Sequence, residues 1–202
     1  MQEKYLYPVV EHFYTIQGEG FHAGKAAYFL RIGGCDIGCQ WCDSKFSWKT
    51  GVHPLVDIYE ILGYIKETQA DSVVITGGEP LSYDMVPLTR LLKENGLKTF
   101  LETSGAYPLS GTWDWICLSP KKQSPPVVDN YSFADELKVI IFDEKDIDWA
   151  EENFSLVNTS CKKYLQPEWS RFDKIIGVIT DYVMKYPKWE VSLQVHKFMH
   201  IP

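Results

Sequence analysis

The apolar positions along the chain fall into two alternating periods. Residues 26–32 (AAYFLRI), 72–76 (SVVIT), 98–103 (KTFLET), 115–119 (WICLS), 137–142 (LKVIIF), the KYLQP run and 190–195 (EVSLQV) read as short strands bounded by glycine, proline or polar residues. Between them, residues 56–68 place Ile58, Ile61, Leu62 and Ile65 at i, i+3, i+4 and i+7, the spacing of one helix face. Asp57 stands near its start, where a carboxylate suits the helix dipole. Residues 85–94 predict a second helix closed by Asn95-Gly96, and 145–153 and 172–185 predict two more. Near-continuous apolar strands separated by helices argue for parallel βα units. Six or seven strands within residues 26–195 are too few for a closed eight-fold barrel, which takes about 250 residues. The expected fold class is therefore α/β, a partial, open βα barrel of about six parallel strands, with one domain over residues 1–202. The strands end on TGGE, ETSG, SPK and QPE, and in parallel α/β folds that edge is where ligands bind.

Composition narrows the class. A chain of 202 residues has room for one hydrophobic core, and 45% hydrophobic with 23% charged residues excludes a disordered chain. Twenty Lys and Arg against 27 Asp and Glu leave a net charge of −7, which argues against a nucleic-acid partner. No apolar run of 18 residues predicts a membrane span. The opening MQEKYLYPVVEHFYT lacks the basic and apolar regions of a signal peptide, so the cytoplasm is the expected compartment.

Five cysteines, an odd number with three inside eight residues, do not fit a disulfide framework. GCDIGCQWCDS spaces Cys35, Cys39 and Cys42 as C-x3-C-x2-C within a loop expected over 33–54. Three thiolates so close suit a zinc knuckle completed by a fourth ligand such as His53. They equally suit a four-iron cluster with three protein ligands and one open iron.

That spacing, with Trp41 before the last cysteine and GGEP at 77–80 after the next strand, resembles the radical S-adenosylmethionine (SAM) enzymes. The resemblance implies that the open iron binds the amino and carboxylate groups of SAM. One electron then cleaves a carbon–sulfur bond, and the resulting 5′-deoxyadenosyl radical takes hydrogen from substrate; the cofactor carries that chemistry. FYTIQGEG (13–20), FLR (29–31), WCDS (41–44), TGGEP (76–80), ETSG (102–105), SPK (119–121), QPE (166–168) and the ending SLQVHKFMHIP resemble the 7-carboxy-7-deazaguanine synthases, in order along nearly the whole chain. The implied reaction is the conversion of 6-carboxy-5,6,7,8-tetrahydropterin to 7-carboxy-7-deazaguanine, a lyase step losing ammonia in queuosine and 7-deazapurine biosynthesis. The implied cofactors are a [4Fe-4S] cluster, SAM and Mg2+. The implied partners are the pterin, an external flavodoxin-like electron donor and a second copy of the chain in a homodimer.

The same resemblance implies residue roles. Cys35, Cys39 and Cys42 hold the cluster. Trp41, Cys42, Asp43, Gly78, Glu79, Ser104, Ser119, Pro120, Lys121 and Gln166 contact SAM. Ile16, Gln17, Gly18, Glu19, Arg31, Thr76 and Pro202 contact the substrate, with the tail over 196–202 closing its pocket. The chemistry of these residues suits the roles. A carboxylate at Glu19 accepts two parallel N–H bonds from a pterin edge, and the Arg31 fork binds a carboxylate. Glycine at 77 and 78 lets backbone approach a ligand closely. Ser44 stands where many members of the family carry Thr; it keeps the hydroxyl that reaches Mg2+ and loses the methyl that fixes the rotamer. Cys117 reads as a buried strand residue, and Cys161 takes no role. A glycyl-radical activating enzyme shares the cysteine spacing but leaves IQGEG and the HIP ending unexplained, and a non-catalytic zinc- or cluster-binding protein is the alternative outside enzymes.

Overall fold

A computed structural model describes residues 4–202; the first three residues of the expected domain and of the opening run lie outside the described residues. In chain order the elements are β1 (Leu6–Ile16), β2 (Ala26–Ile32), β3 (Leu55–Asp57), α1 (Ile58–Lys66), β4 (Ser72–Gly77), α2 (Val86–Glu94), β5 (Lys98–Thr103), β6 (Trp115–Leu118), β7 (Glu136–Ile141), α3 (Asp146–Phe154), β8 (Lys162–Pro167), α4 (Phe172–Lys185), β9 (Glu190–Val191) and α5 (Val195–Met199). The described strands form one sheet in the order β3-β1-β2-β4-β5-β6-β7-β8-β9, open at both ends. From β2 through β9 every pairing is parallel. β1 runs antiparallel to β2 and β3 antiparallel to β1, so the sheet is mixed.

Alternation along the strands separates a helix-facing side from an inner side. Leu30, Ile32 and Ile75 pack with Ile61, Ile65, Leu88 and Leu92 of α1 and α2. Leu137, Val139, Ile141 and Leu165 pack with Ile175 and Ile179 of α4 and with Trp189. The intervening residues Phe29, Arg31, Thr76, Glu102, Lys138, Ile140 and Gln166 face one cavity. Asp57 caps α1 by accepting from the Tyr59 N–H at 3.0 Å.

Two local expectations are corrected. The strand expected over 190–195 stops at Val191, because Ser192 turns the chain and Val195 begins α5. β1, whose alternation was not read as a strand, is the longest in the sheet, with 11 residues and a register shift between Val9 and Glu11. Among the described residues no helix is long and apolar enough to cross a membrane.

Candidate active site

The cavity, about 290 Å³, lies inside the curved sheet. One wall is the cysteine loop over 33–54. Its backbone is tied down at Gly34 (N–H to the Ser47 carbonyl, 2.7 Å) and Cys35 (N–H to the Trp48 carbonyl, 3.1 Å). The turn after β4 runs alongside, with the Gly78 N–H on the Ile32 carbonyl at 2.8 Å and the Glu79 N–H on the Gly34 carbonyl at 2.9 Å. A Cβ at Gly78 would stand 2.1 Å from the Gly34 oxygen and 3.0 Å from the Cys35 Cβ, so only glycine lets β4 lie against the loop.

Cys35, Cys39 and Cys42 all line the cavity. Burial pushes the Cys35 and Cys39 thiols above their ordinary value. Cys42 Sγ accepts from the Ser44 N–H at 3.3 Å, and Cys39 Sγ from the Gln123 side-chain amide at 3.1 Å. Among the described residues no three His, Cys, Asp or Glu side chains converge on a single-ion position. His53 does not line the cavity; its ring packs on Gly33 and its Nε2 is buried without a partner. A single zinc ion needs its ligands around one point. A cubane differs, since each thiolate binds a separate iron. The soft donors and the N–H groups aimed at two of the sulfurs fit an iron–sulfur cluster.

Next to the loop, Trp41 lies under Lys121, whose Nζ is 5.7 Å from the ring centroid. Lys121 donates to the Ser119 carbonyl and hydroxyl oxygens, the latter at 2.7 Å, and burial lowers its pKa. Ser119 and Lys121 line the cavity; Pro120 between them is buried and does not. Glu79 is fully buried, accepting from the Leu81 N–H (3.1 Å), the Ser104 N–H (2.8 Å) and the Thr103 and Ser104 hydroxyls. Asp43 accepts from Lys197 Nζ at 3.1 Å and from the Ser44 hydroxyl at 3.1 Å. Arg31 reaches the same place, giving Nε to Glu11 at 2.6 Å and a terminal N–H to the Ser44 hydroxyl at 3.3 Å.

The floor joins the turn after β1 to side chains from within β5 and β7. After β1, residues 17–19 turn into the interior. Lys138, buried on β7, donates to Glu19 at 2.7 Å and to Glu102 at 2.9 Å. The Gln17 amide also reaches Glu102 at 3.3 Å, and the Gln194 amide reaches Glu19 at 2.8 Å. Burial alone would raise the Glu19 pKa, but the Lys138 charge and the surrounding donors overcome it and hold the carboxyl at about 2. Burial likewise favours a neutral Lys138 amine, and the acidic groups around it hold its pKa well above the ordinary lysine value.

The open side of the sheet is sealed by residues 192–196. The Gly20 N–H meets the Ser192 hydroxyl at 3.0 Å, and the Val195 N–H meets the Gly18 carbonyl at 2.9 Å. His196 packs so closely on Gly18 that a Cβ there would lie 2.2 Å from its Nδ1. Gln166 accepts from the Ser192 hydroxyl at 2.6 Å, and exposed Pro202 stands on the cavity rim. Glu102, Lys138 and Gln194 were given no site role, while His196 was covered only as the first residue of the closing tail; the available signal was a lysine within the LKVII run of β7.

Residues 30–117 match the Radical SAM superfamily model. The 7-carboxy-7-deazaguanine synthase of Flavobacterium psychrophilum is 51% identical over 197 residues, 98% of this chain and 93% of that protein. That of Synechocystis sp. is 45% identical, over 96% and 93%. The chain belongs to the 7-carboxy-7-deazaguanine synthase family. Its fold also matches the crystal structure of QueE from Escherichia coli, with a TM-score of 0.82, 30% identity and 95% of each chain covered. Membership of this radical SAM family brings a [4Fe-4S] cluster and SAM as cofactors.

Proposed function

We propose that the chain is a radical SAM lyase that converts 6-carboxy-5,6,7,8-tetrahydropterin to 7-carboxy-7-deazaguanine with loss of ammonia, in 7-deazapurine (queuosine) biosynthesis. The carrying observation is one cavity with three thiols on one wall and an ion-paired carboxylate floor opposite. When bound, the cluster and SAM supply the 5′-deoxyadenosyl radical that takes hydrogen from substrate. The protein's own groups hold, orient and shield.

Cys35, Cys39 and Cys42 hold the cluster. Trp41, Cys42, Asp43, Gly78, Glu79, Ser104, Ser119, Pro120, Lys121 and Gln166 form the SAM side, with Glu79 fixing Ser104 and Pro120 acting only by shaping the turn between Ser119 and Lys121. Ile16, Gln17, Gly18, Glu19, Arg31, Thr76 and Pro202 form the substrate side. Held ionised by Lys138, Glu19 accepts N–H bonds from the pterin. Arg31 sits at the end of β2 beside Thr76, its register partner on β4, and receives the substrate carboxylate. The Ser44 hydroxyl, with an Asp43 oxygen 3.1 Å away, offers hard oxygens to Mg2+, the remaining ligands coming from substrate and water.

Residues 1–202 act as a single domain, in the cytoplasm, as a homodimer supplied with electrons by an external flavodoxin-like donor. The sealed side at Gly18–Val195 favours a small substrate over the protein loop that a glycyl-radical activating enzyme must admit. The test is anaerobic reconstitution followed by turnover. The reconstituted protein is expected to be brown, to cleave SAM when reduced, and to form 7-carboxy-7-deazaguanine from the carboxytetrahydropterin. A colourless protein holding one zinc ion rejects the reading.

A further inference from the structure

After β6 the chain makes a tight turn. Lys121 and Ser124 form an isolated antiparallel bridge, and the Ser124 N–H donates to the Lys121 carbonyl at 3.1 Å. Lys121 and Gln123, two residues apart, both reach the cysteine loop: Lys121 lies over Trp41, and Gln123 Nε2 stands 3.1 Å from Cys39 Sγ. Among the described residues, this is the one side-chain hydrogen bond to any of the three sulfurs; the contact on Cys42 comes from backbone. Cys39 is also the most buried of the three, at 7% exposure. Gln123 is itself exposed, and its bond to the buried sulfur is part-buried.

We propose that the Gln123 carboxamide, acting through the Cys39 sulfur, tunes the reduction potential of the cluster. This rests on the reading that Cys35, Cys39 and Cys42 hold that cluster. One added electron places more negative charge on the thiolate sulfurs. An N–H aimed at one of them therefore stabilises the reduced state more than the oxidised state and raises the potential. The carboxamide carries no charge of its own and does not titrate, so its effect is the same across the working pH range. Gln123 does not line the cavity; it is a positioning residue, and its influence is electrostatic.

The experiment is an EPR-monitored redox titration of the reconstituted protein without SAM, with iron content measured on each sample. Gln123→Leu removes the donor. The ratio of reduced to oxidised cluster at a fixed potential should fall about tenfold, a midpoint about 59 mV more negative for one electron. Gln123→Glu replaces the donor with an anionic acceptor and should move the midpoint further in that direction. Gln123→Lys restores a donor with a positive charge and should return the midpoint to the wild-type value or above it. Unchanged midpoints in the Leu and Glu variants at full iron content overturn the proposal. Equal loss of iron from both also overturns it, assigning Gln123 to assembly of the loop. A wild-type protein that takes up no cluster, or that keeps it after Cys39→Ala, instead rejects the ligand reading underneath.

Discussion

In the cysteine loop, backbone holds backbone: Gly34 to Ser47, Cys35 to Trp48, Glu79 to Gly34. In the floor, charged and amide side chains hold one another: Lys138 to Glu19 and Glu102, Gln17 to Glu102, Gln194 to Glu19. The loop fixes where three sulfurs stand, and burial raises the pKa of Cys35 and Cys39, which favours their protonated form. Metal binding must release those protons, so assembly of that wall is coupled to the cofactor. The floor sets one cation, Lys138, between the carboxyls of Glu19 and Glu102, and Glu19 is held ionised before any ligand enters. One side of the cavity is organised around a cofactor and the other is organised in advance for a substrate.

The largest expected effect separates the two walls outright. Cys35→Ala, Cys39→Ala or Cys42→Ala should each abolish iron uptake and SAM cleavage, while the urea midpoint of the apoprotein changes little. Cys117→Ala and Cys161→Ala should retain the cluster, because both are buried and neither lines the cavity. Iron loss from Cys117→Ala equal to that from Cys39→Ala would show the ligand assignment to be wrong.

The floor should answer in stability. Lys138→Met leaves Glu19 and Glu102 facing each other without their cation. Breaking a buried ion pair from one side costs about 3–5 kcal/mol. Urea unfolding of the apoprotein measures this directly, and Glu19→Gln added to Lys138→Met should recover part of the loss. An additive double variant would mean that the pair is not coupled.

Acid should reach the floor by a defined route. The Glu19 pKa is depressed in the folded state, from 4.5 to about 2. Its contribution is therefore complete above the ordinary carboxylate range and is lost as pH falls from about 4.5 towards 2. A shift of that size is worth about 3 kcal/mol. Stability measured across that window should fall more steeply in wild type than in Glu19→Gln, and parallel curves would remove Glu19 from the network.

The contrast also explains what was legible in the sequence. The cysteine loop is contiguous, and its chemistry is carried by residue type at fixed spacing, so C-x3-C-x2-C and GGEP could be read directly. Most helices and parallel strands were legible from their periods, because burial on one face enforces them. Of the floor, Glu19 was legible within IQGEG, but its partners Glu102, Lys138 and Gln194 were not, since they lie far apart in the chain and meet it only in the fold. β1 escaped notice because its alternating polar residues resemble a loop rather than the apolar runs of the inner strands. The 190–195 strand was misjudged for the opposite reason: its apolar positions also serve the turn and α5, which seal the open side.

A smaller effect is expected at the Mg2+ position. Ser44→Ala removes the hydroxyl that Arg31 and Asp43 share. Mg2+ stimulation of turnover should weaken several-fold, with cluster content unchanged, and Ser44→Thr should preserve it. A wild-type protein indifferent to Mg2+ would take the ion out of the site.

The smallest effect is expected where the two walls touch. Lys197 of α5 donates to Asp43, the residue between Cys42 and Ser44, and the Gln194 amide reaches the same oxygen at 3.3 Å while also holding Glu19. Asp43 is 58% exposed and Lys197 20% exposed. Water screens such a pair, and exposed ion pairs are typically worth about 1 kcal/mol or less. Lys197→Met should therefore lower stability by no more than that, and raising the salt concentration should shrink the difference further. The functional effect should fall on SAM rather than on iron: KM for SAM should rise a few-fold, because Asp43 loses a partner that fixes its rotamer, while iron content stays at the wild-type level. Iron loss in Lys197→Met would mean that the C-terminal helix helps to hold the cysteine loop in place. The two walls would then be one cooperative unit, and the separation drawn from their bonding would fail.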